Sequence, residues 1–102
     1  MQKSKTSHGW EKQVPDLCEA FLSLKTVPEC KKFLRDLCTI TEMQAMTERW
    51  QAVRMIKQGV SYREIAKKTG ISTATITRVA SWLRHGEKGY KIALERTGHE
   101  VL

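Results

Sequence analysis

The segment Ser61–Leu83, SYREIAKKTGISTATITRVASWL, limits the fold most, because its pattern predicts two short helices joined by a tight turn. Ser61 is a good N-cap residue, and Glu64 three residues later completes the pattern of a capping box. Gly70 ends the first helix, because glycine adopts the left-handed conformation without the penalty that a Cβ imposes. Ser72 caps the second helix. The segment therefore predicts a helix-turn-helix, which DNA-binding proteins place in the major groove.

The second predicted helix has two chemically different faces. Apolar residues recur at helical spacing and predict a face turned toward the core: Ile76, Val79, Ala80 and Leu83. The opposite face carries hydroxyls, a methyl group and a guanidinium: Thr73, Ala74, Thr75, Thr77, Arg78 and Ser81. Hydroxyls can reach phosphates or base edges, a methyl group can meet a thymine methyl, and arginine can bind guanine through two hydrogen bonds. This face predicts base reading, and the alternative interpretation is a solvated helical hairpin in a small bundle.

The positive charge of the chain is concentrated around this segment. The net charge is +7, and residues 46–91 contain ten basic residues against three acidic ones. Residues 1–45 carry a net charge of +1 and residues 92–102 a net charge of −1. A basic region of this kind predicts contacts with a polyanion. The candidate contacts to DNA phosphates are Arg63, Lys67, Lys68 and Arg84, and we add Ser72 to the DNA-binding set. Charge alone does not distinguish DNA from RNA.

Length and composition exclude several other classes of protein. A chain of 102 residues is one domain or one subunit, and it buries only about two-thirds of its unfolded surface. Cys18, Cys30 and Cys38 lack metal-ligand spacing and lie on predicted apolar faces, so we expect buried reduced thiols and no metal site. No apolar run is long enough for a signal peptide or a membrane span, which predicts a cytoplasmic protein without a membrane partner. We find no phosphate-binding glycine loop and no paired nucleophile and base, so we do not expect an enzyme.

The periodicity of the whole chain predicts an all-α fold of about six short helices. Residues 1–9 predict a flexible N-terminal arm, residues 10–96 a helical DNA-binding domain with its motif at 61–84, and residues 97–102 a tail. The broad apolar face of the first helix favours burial against a second subunit.

Three helices are predicted ahead of the motif. The first runs from about Glu11 or Pro15 to Leu24, and Thr26 caps the second. Trp50 lies on the apolar stripe of the third, so we interpret it as a core or dimer residue rather than a base-stacking platform.

Several segments also resemble a known family. The Leu-x-x-Ile-Thr pattern at residues 37–41, the pair Glu48-Arg49, the pattern Ser-x-Arg-Glu-Ile at 61–65 and the string Ala-Thr-Ile-Thr-Arg at 74–78 resemble the Trp-repressor family. Residues 83–90, Leu-Arg-His-Gly-x-x-Gly-Tyr, are most similar to its TrpR-like (YerC/YecD) branch. The resemblance implies an all-helical, intertwined homodimer with two reading helices. Its half-sites on DNA would then lie about 34–36 Å apart.

The resemblance also implies a possible effector pocket. In tryptophan-sensing relatives two arginines sandwich the indole ring, and Arg49 and Arg78 match them. The family's next glycine is Val79 here, and the serine that binds the amino group of the ligand is Trp82. Added bulk and a lost hydrogen-bond partner predict that L-tryptophan is not the corepressor. We therefore expect no cofactor. The possibility that another small molecule is the effector stays open. If Trp82 itself fills the pocket, the protein would act without a ligand.

The sequence favours a sequence-specific, homodimeric transcriptional regulator, a repressor, that binds double-stranded DNA. Two other classes stay open. The first is the helix-turn-helix of a mobile-element or replication-initiator protein, although such motifs usually accompany a catalytic or ATPase domain. The second is a protein-interaction module that uses the same pair of helices against an acidic partner.

Overall fold

The computed structural model describes residues 8–98, which form seven helices and no strand. The helices are α1 (His8–Glu11), α2 (Val14–Leu22), α3 (Val27–Leu37), α4 (Ile40–Lys57), α5 (Tyr62–Thr69), α6 (Thr73–His85) and α7 (Gly89–Thr97). Because α1 is a single turn of four residues, the prediction of an all-α fold with about six helices is confirmed. Within residues 8–98, no helix is long and apolar enough to cross a membrane.

The described chain divides into two compact units, with the boundary after Thr39. The N-terminal unit (residues 8–39) contains α1 to α3, and the helix-turn-helix unit (residues 40–98) contains α4 to α7. The single domain over residues 10–96 that the sequence predicts stays a prediction, and no residue of α2 or α3 is buried. Two residues of the predicted arm, His8 and Gly9, belong to α1, while residues 1–7 and 99–102 lie outside the described part.

The N-terminal unit is organised by local capping and one aromatic contact. Pro15 occupies the first turn of α2, where its missing N–H costs no helical hydrogen bond. The predicted cap of α3 is confirmed, because the backbone N–H of Glu29 donates to Thr26 Oγ1 at 3.2 Å. The rings of Phe21 and Phe33 meet edge to face, with centroids 5.1 Å apart.

The three thiols lie in this unit, and the prediction that they are buried is wrong for the single chain. Cys18 is exposed, while Cys30 and Cys38 are half-buried, and all three are free. The spacing predicts an apolar face on α2 and on α3, but no residue of either helix is buried within the described part of one chain.

The helix-turn-helix unit is built around a core of apolar side chains from all four of its helices. The buried members are Ala52, Val53, Ile65, Ile76, Val79, Ala80, Leu83 and Leu94. The inward face predicted for α6 is therefore confirmed in full. Trp50 also packs against this core, and its ring centroid lies 6.5 Å from that of Tyr90. Trp50 is half-buried against the core, which agrees with its interpretation as a core or dimer residue.

The turn between α5 and α6 is held by one glycine and one threonine. Gly70 adopts the left-handed conformation (φ +81°, ψ −2°), and its N–H donates to the carbonyl of Ala66 at 2.9 Å. The hydroxyl of Thr69, which is buried, donates to the carbonyl of Ile65 at 2.8 Å and accepts from the N–H of Ile71 at 3.3 Å. These bonds satisfy backbone groups that the end of a helix leaves unpaired, and so they fix the chain as it enters α6.

The conformation of Gly70 leads to a prediction about stability. We expect Gly70→Ala to lower the free energy of unfolding by about 1 kcal/mol, because a Cβ is unfavourable at this positive φ. Gly89→Ala is the matched control: its φ is not positive, it opens α7, and the space around it is empty. Chemical denaturation followed by circular dichroism measures both. Equal stability of Gly70→Ala and the wild type would contradict the role given to this turn.

Candidate nucleic-acid interface

The position of α6 is fixed by its cap and by its buried face. The hydroxyl of Ser72 accepts a hydrogen bond from the backbone N–H of Thr75 at 3.1 Å, which confirms the predicted cap. Ile76, Val79 and Ala80 are completely buried, so the rotation of α6 about its own axis is set by the core. A side chain on the opposite side of α6 must therefore point into solvent.

The outer edge of α6 consists of the residues that the sequence assigns to base reading. Thr73, Ala74, Thr77, Arg78 and Ser81 are exposed, and Thr75 is half-buried. Five of the six predicted reading residues are thus exposed on α6, and the sixth, Thr75, lies at the margin of its buried face. Their chemistry is a mixture of hydroxyl groups, one methyl group and one guanidinium. That mixture suits the major groove, where base edges offer both hydrogen-bond acceptors and thymine methyl groups.

Several polar side chains of the outer edge are bonded to one another or to their own helix. Ser72 Oγ donates to Thr75 Oγ1 at 3.1 Å, and Arg78 Nη2 donates to the same oxygen at 3.4 Å. Thr77 Oγ1 donates to the carbonyl of Thr73 at 2.9 Å. These bonds connect Thr75, Thr77 and Arg78 to neighbouring groups of the same helix.

The predicted phosphate contacts lie on the two helices of the motif. Arg63, Lys67 and Lys68 are exposed on α5, and Arg84 is exposed near the end of α6. Lys68 Nζ lies 4.0 Å from a carboxylate oxygen of Glu64, and both side chains are about half exposed. An exposed pair of this kind contributes only a few tenths of a kcal/mol, roughly 0.3–0.5. It leaves Lys68 able to turn toward a phosphate.

The residues matched to the effector pocket have different surroundings. Val79 is completely buried in the core, Arg49 is half-buried on α4, and Arg78 is exposed. Trp82 is 50% exposed and lines an open surface cavity of about 570 Å³. The other residues lining this cavity belong to the turn between α6 and α7 and the start of α7: Gly86, Glu87, Lys88, Gly89 and Tyr90. Neither arginine lines it, and the effector site stays a prediction.

Two features of this region were not found by sequence reasoning. Thr69 acts as a brace of the turn, and its only sequence signal is a threonine directly before the glycine that ends a helix. Gly86 is the second: a Cβ there would lie 2.5 Å from the carbonyl oxygen of Trp82, so only glycine fits after α6. Thr69 precedes α6 and Gly86 follows it, so neither lies on its outer edge.

Comparisons with known proteins extend over both units. A family model of the Trp repressor protein matches residues 12–98. The chain is 44% identical over 85 residues to the uncharacterised protein YerC of Bacillus subtilis (strain 168), covering 83% of this chain and 82% of that relative. It is 30% identical over 99 residues to a Trp operon repressor homolog of Chlamydia trachomatis serovar L2, covering 92% and 97% of the two chains.

Comparison of the fold with solved structures also finds a similar TrpR-like protein. The solved structure of a TrpR-like protein from Eubacterium eligens ATCC 27750 matches with a TM-score of 0.81 and 41% identity, covering 85% of this chain and 90% of that one. The family model reaches beyond residues 37–90, where the sequence motifs lie, and includes α2 and α3 of the N-terminal unit.

Proposed function

Because the chain belongs to the Trp repressor family, we propose that it is a sequence-specific transcriptional regulator, a repressor, that inserts α6 into the major groove of DNA. One observation carries the proposal: the core completely buries Ile76, Val79 and Ala80, and so turns the outer edge of α6 toward solvent. An edge of hydroxyls, one methyl group and one arginine on a rigid helix matches what base recognition requires. In this proposal the protein binds DNA in the cytoplasm, and it needs neither a cofactor nor a catalytic step.

The basic residues of the motif supply the part of the affinity for DNA that does not depend on the base sequence. Arg63, Lys67 and Lys68 of α5 and Arg84 of α6 are exposed near the ends of the two motif helices. Contacts from such residues to phosphates release counterions from DNA and fix the orientation of the protein on the duplex. Base discrimination then falls to the outer edge of α6.

Phosphate binding by α5 gives a prediction that concerns salt. We expect Lys67→Ala to weaken binding to every duplex by a similar factor, and to reduce the slope of log K against log salt by about one unit. Lys31→Ala is the matched control, because this exposed lysine lies on α3 of the N-terminal unit. Fluorescence anisotropy across salt concentrations measures both slopes. An unchanged slope for Lys67→Ala would remove this residue from the phosphate contacts.

The reading unit we propose is a homodimer, and the exposed apolar surface of the N-terminal unit supports it. Trp10 is 60% exposed, Leu22 83% and Val27 73%, and no residue of α2 or α3 is buried. A second copy of the chain would cover such surface, and a two-fold dimer would present two α6 helices to one duplex. Light scattering should give twice the chain mass of 11.7 kDa. A monomer at micromolar concentration would contradict the homodimer.

For the effector we propose that L-tryptophan is not recognised. The valine at position 79 supports this, because the resemblance implies glycine there, and a buried branched side chain changes the packing of α6 at this point. The half-exposed Trp82 replaces a hydroxyl that would bind the amino group of the ligand. Isothermal titration should therefore show no heat of binding with L-tryptophan. Binding at micromolar concentration would overturn this part of the proposal and would identify a corepressor.

The experiment that tests the main proposal is retention of duplex DNA at rising salt. A regulator of this kind should hold a preferred duplex more tightly than an unrelated one, and both should be released as salt increases. Absence of salt-dependent retention would contradict DNA binding and would favour the protein-interaction module instead.

A further inference from the structure

The outer edge of α6 contains a hydrogen-bonded chain of three residues, Ser72, Thr75 and Arg78. The oxygen of Thr75 is its centre, because it accepts from Ser72 Oγ at 3.1 Å and from Arg78 Nη2 at 3.4 Å. Ser72 is itself held in place, since its oxygen accepts from the backbone N–H of Thr75 at 3.1 Å. The guanidinium of Arg78 is thus linked through Thr75 to the cap of the helix.

We propose that Thr75 is a positioning residue for Arg78, and that Arg78 is the base-reading group of the pair. The inference rests on the proposed function and deepens it by assigning different roles to two neighbouring residues of the outer edge. The sequence predicts that both residues contact bases. The hydrogen bonds separate them, because one side chain is used to hold the other.

The donor and acceptor capacity of Thr75 supports this division of roles. A hydroxyl oxygen can accept two hydrogen bonds and donate one. Both accepting positions of Thr75 are used, by Ser72 and by Arg78. While this arrangement holds, Thr75 has no lone pair left for the amino groups of adenine or cytosine, and only its O–H is left to donate. Arg78 keeps further N–H groups, since its guanidinium carries five donors and only one bond to Thr75 is formed.

The direction of the contact matters for recognition. Arg78 is the sixth residue of α6, and its bond to Thr75 draws the guanidinium back toward the first turn of the helix. In helix-turn-helix proteins the N-terminal part of the reading helix meets the base edges. An unrestrained arginine side chain samples many rotamers and loses this conformational entropy on binding. A guanidinium already held near the N-terminal end of α6 therefore loses less conformational entropy when it binds a base.

The first test distinguishes a positioning role of Thr75 from direct contact with DNA by measuring the mobility of the Arg78 side chain. NMR relaxation of the Arg78 Nε–Hε group in the DNA-free protein should show greater mobility in Thr75→Val than in the wild type. Thr75→Ser keeps the hydroxyl and should restore the wild-type value. Thr77→Val is the control for Arg78 mobility, because the hydroxyl of Thr77 bonds to the carbonyl of Thr73 instead. Unchanged mobility of Arg78 in Thr75→Val would overturn the proposal.

A double-mutant cycle on the preferred duplex gives the second test. Because 3.4 Å is long for a hydrogen bond, we expect Thr75→Val alone to weaken binding by only about two- to fivefold. In the background of Arg78→Ala the same change should have almost no effect, since there is no guanidinium left to hold. An equal loss in both backgrounds would show that Thr75 contacts DNA itself and would overturn the positioning role. If the wild type prefers no duplex while the mobility difference is present, the proposed function fails and the positioning role stands.

Discussion

Arg78→Ala is expected to weaken binding to the preferred duplex by about 10- to 100-fold, the range of a lost arginine–guanine contact. The residue is exposed on the outer edge of α6, and Thr75 accepts one of its N–H groups there. Because its contact would be to a base edge, the loss should be concentrated in the preferred sequence. Binding to unrelated duplexes should change much less, and preference at one base pair of each half-site should disappear. Fluorescence anisotropy with matched and substituted duplexes measures both effects.

Arg84→Ala is the matched control for Arg78→Ala. Arg84 is also an exposed arginine of α6, and we assign it to phosphates. Its removal should weaken all duplexes alike and lower the salt dependence by about one unit. If both variants lose affinity uniformly, with no change in base preference, then Arg78 does not read a base.

Ile76→Ala is expected to lower the free energy of unfolding by about 3 kcal/mol, within the range for a large core residue reduced to alanine. Ile76 is fully buried at the centre of the core, on the face of α6 opposite the reading residues. A domain of this size has a total stability of about 5–15 kcal/mol, so a large share would be lost. Denaturant unfolding monitored by circular dichroism measures the change.

Thr77→Ala provides the control on the adjacent position. Thr77 is exposed, and its hydroxyl bonds only to the carbonyl of Thr73 among the contacts described for it. Its removal should change stability by less than about 0.5 kcal/mol. A similar loss of stability for Ile76→Ala and Thr77→Ala would mean that α6 is not anchored by the face the structure buries.

The helix-turn-helix could be predicted from sequence because its signals are local. Ser61 and Ser72 cap helices, Gly70 needs a positive φ, and the apolar spacing of α6 selects one buried face. Each of these features depends on residues within one or two turns of the helix. The family could be recognised for a related reason, since the string at residues 74–78 lies within this locally determined segment.

Other features depend on packing that a single sequence does not reveal. The residue spacing predicts apolar faces on α2 and α3, but whether Cys18 and Cys30 are buried depends on what covers those faces. The brace formed by Thr69 requires the turn geometry to exist before its two hydrogen bonds can be seen. The hydrogen bond between Thr75 and Arg78 likewise depends on the rotamers of the two side chains, and residue spacing alone does not predict those rotamers.

Selection of bound duplexes from a random DNA pool, carried out in parallel with wild-type protein and Arg78→Ala, tests the central claim most directly. The proposal predicts that the wild type enriches a two-fold symmetric sequence with half-sites about one helical turn apart. Arg78→Ala should enrich the same sequence with one position of each half-site left degenerate. Recovery of the same fully specified sequence by both proteins, or of no sequence by the wild type, would contradict base reading by the outer edge of α6.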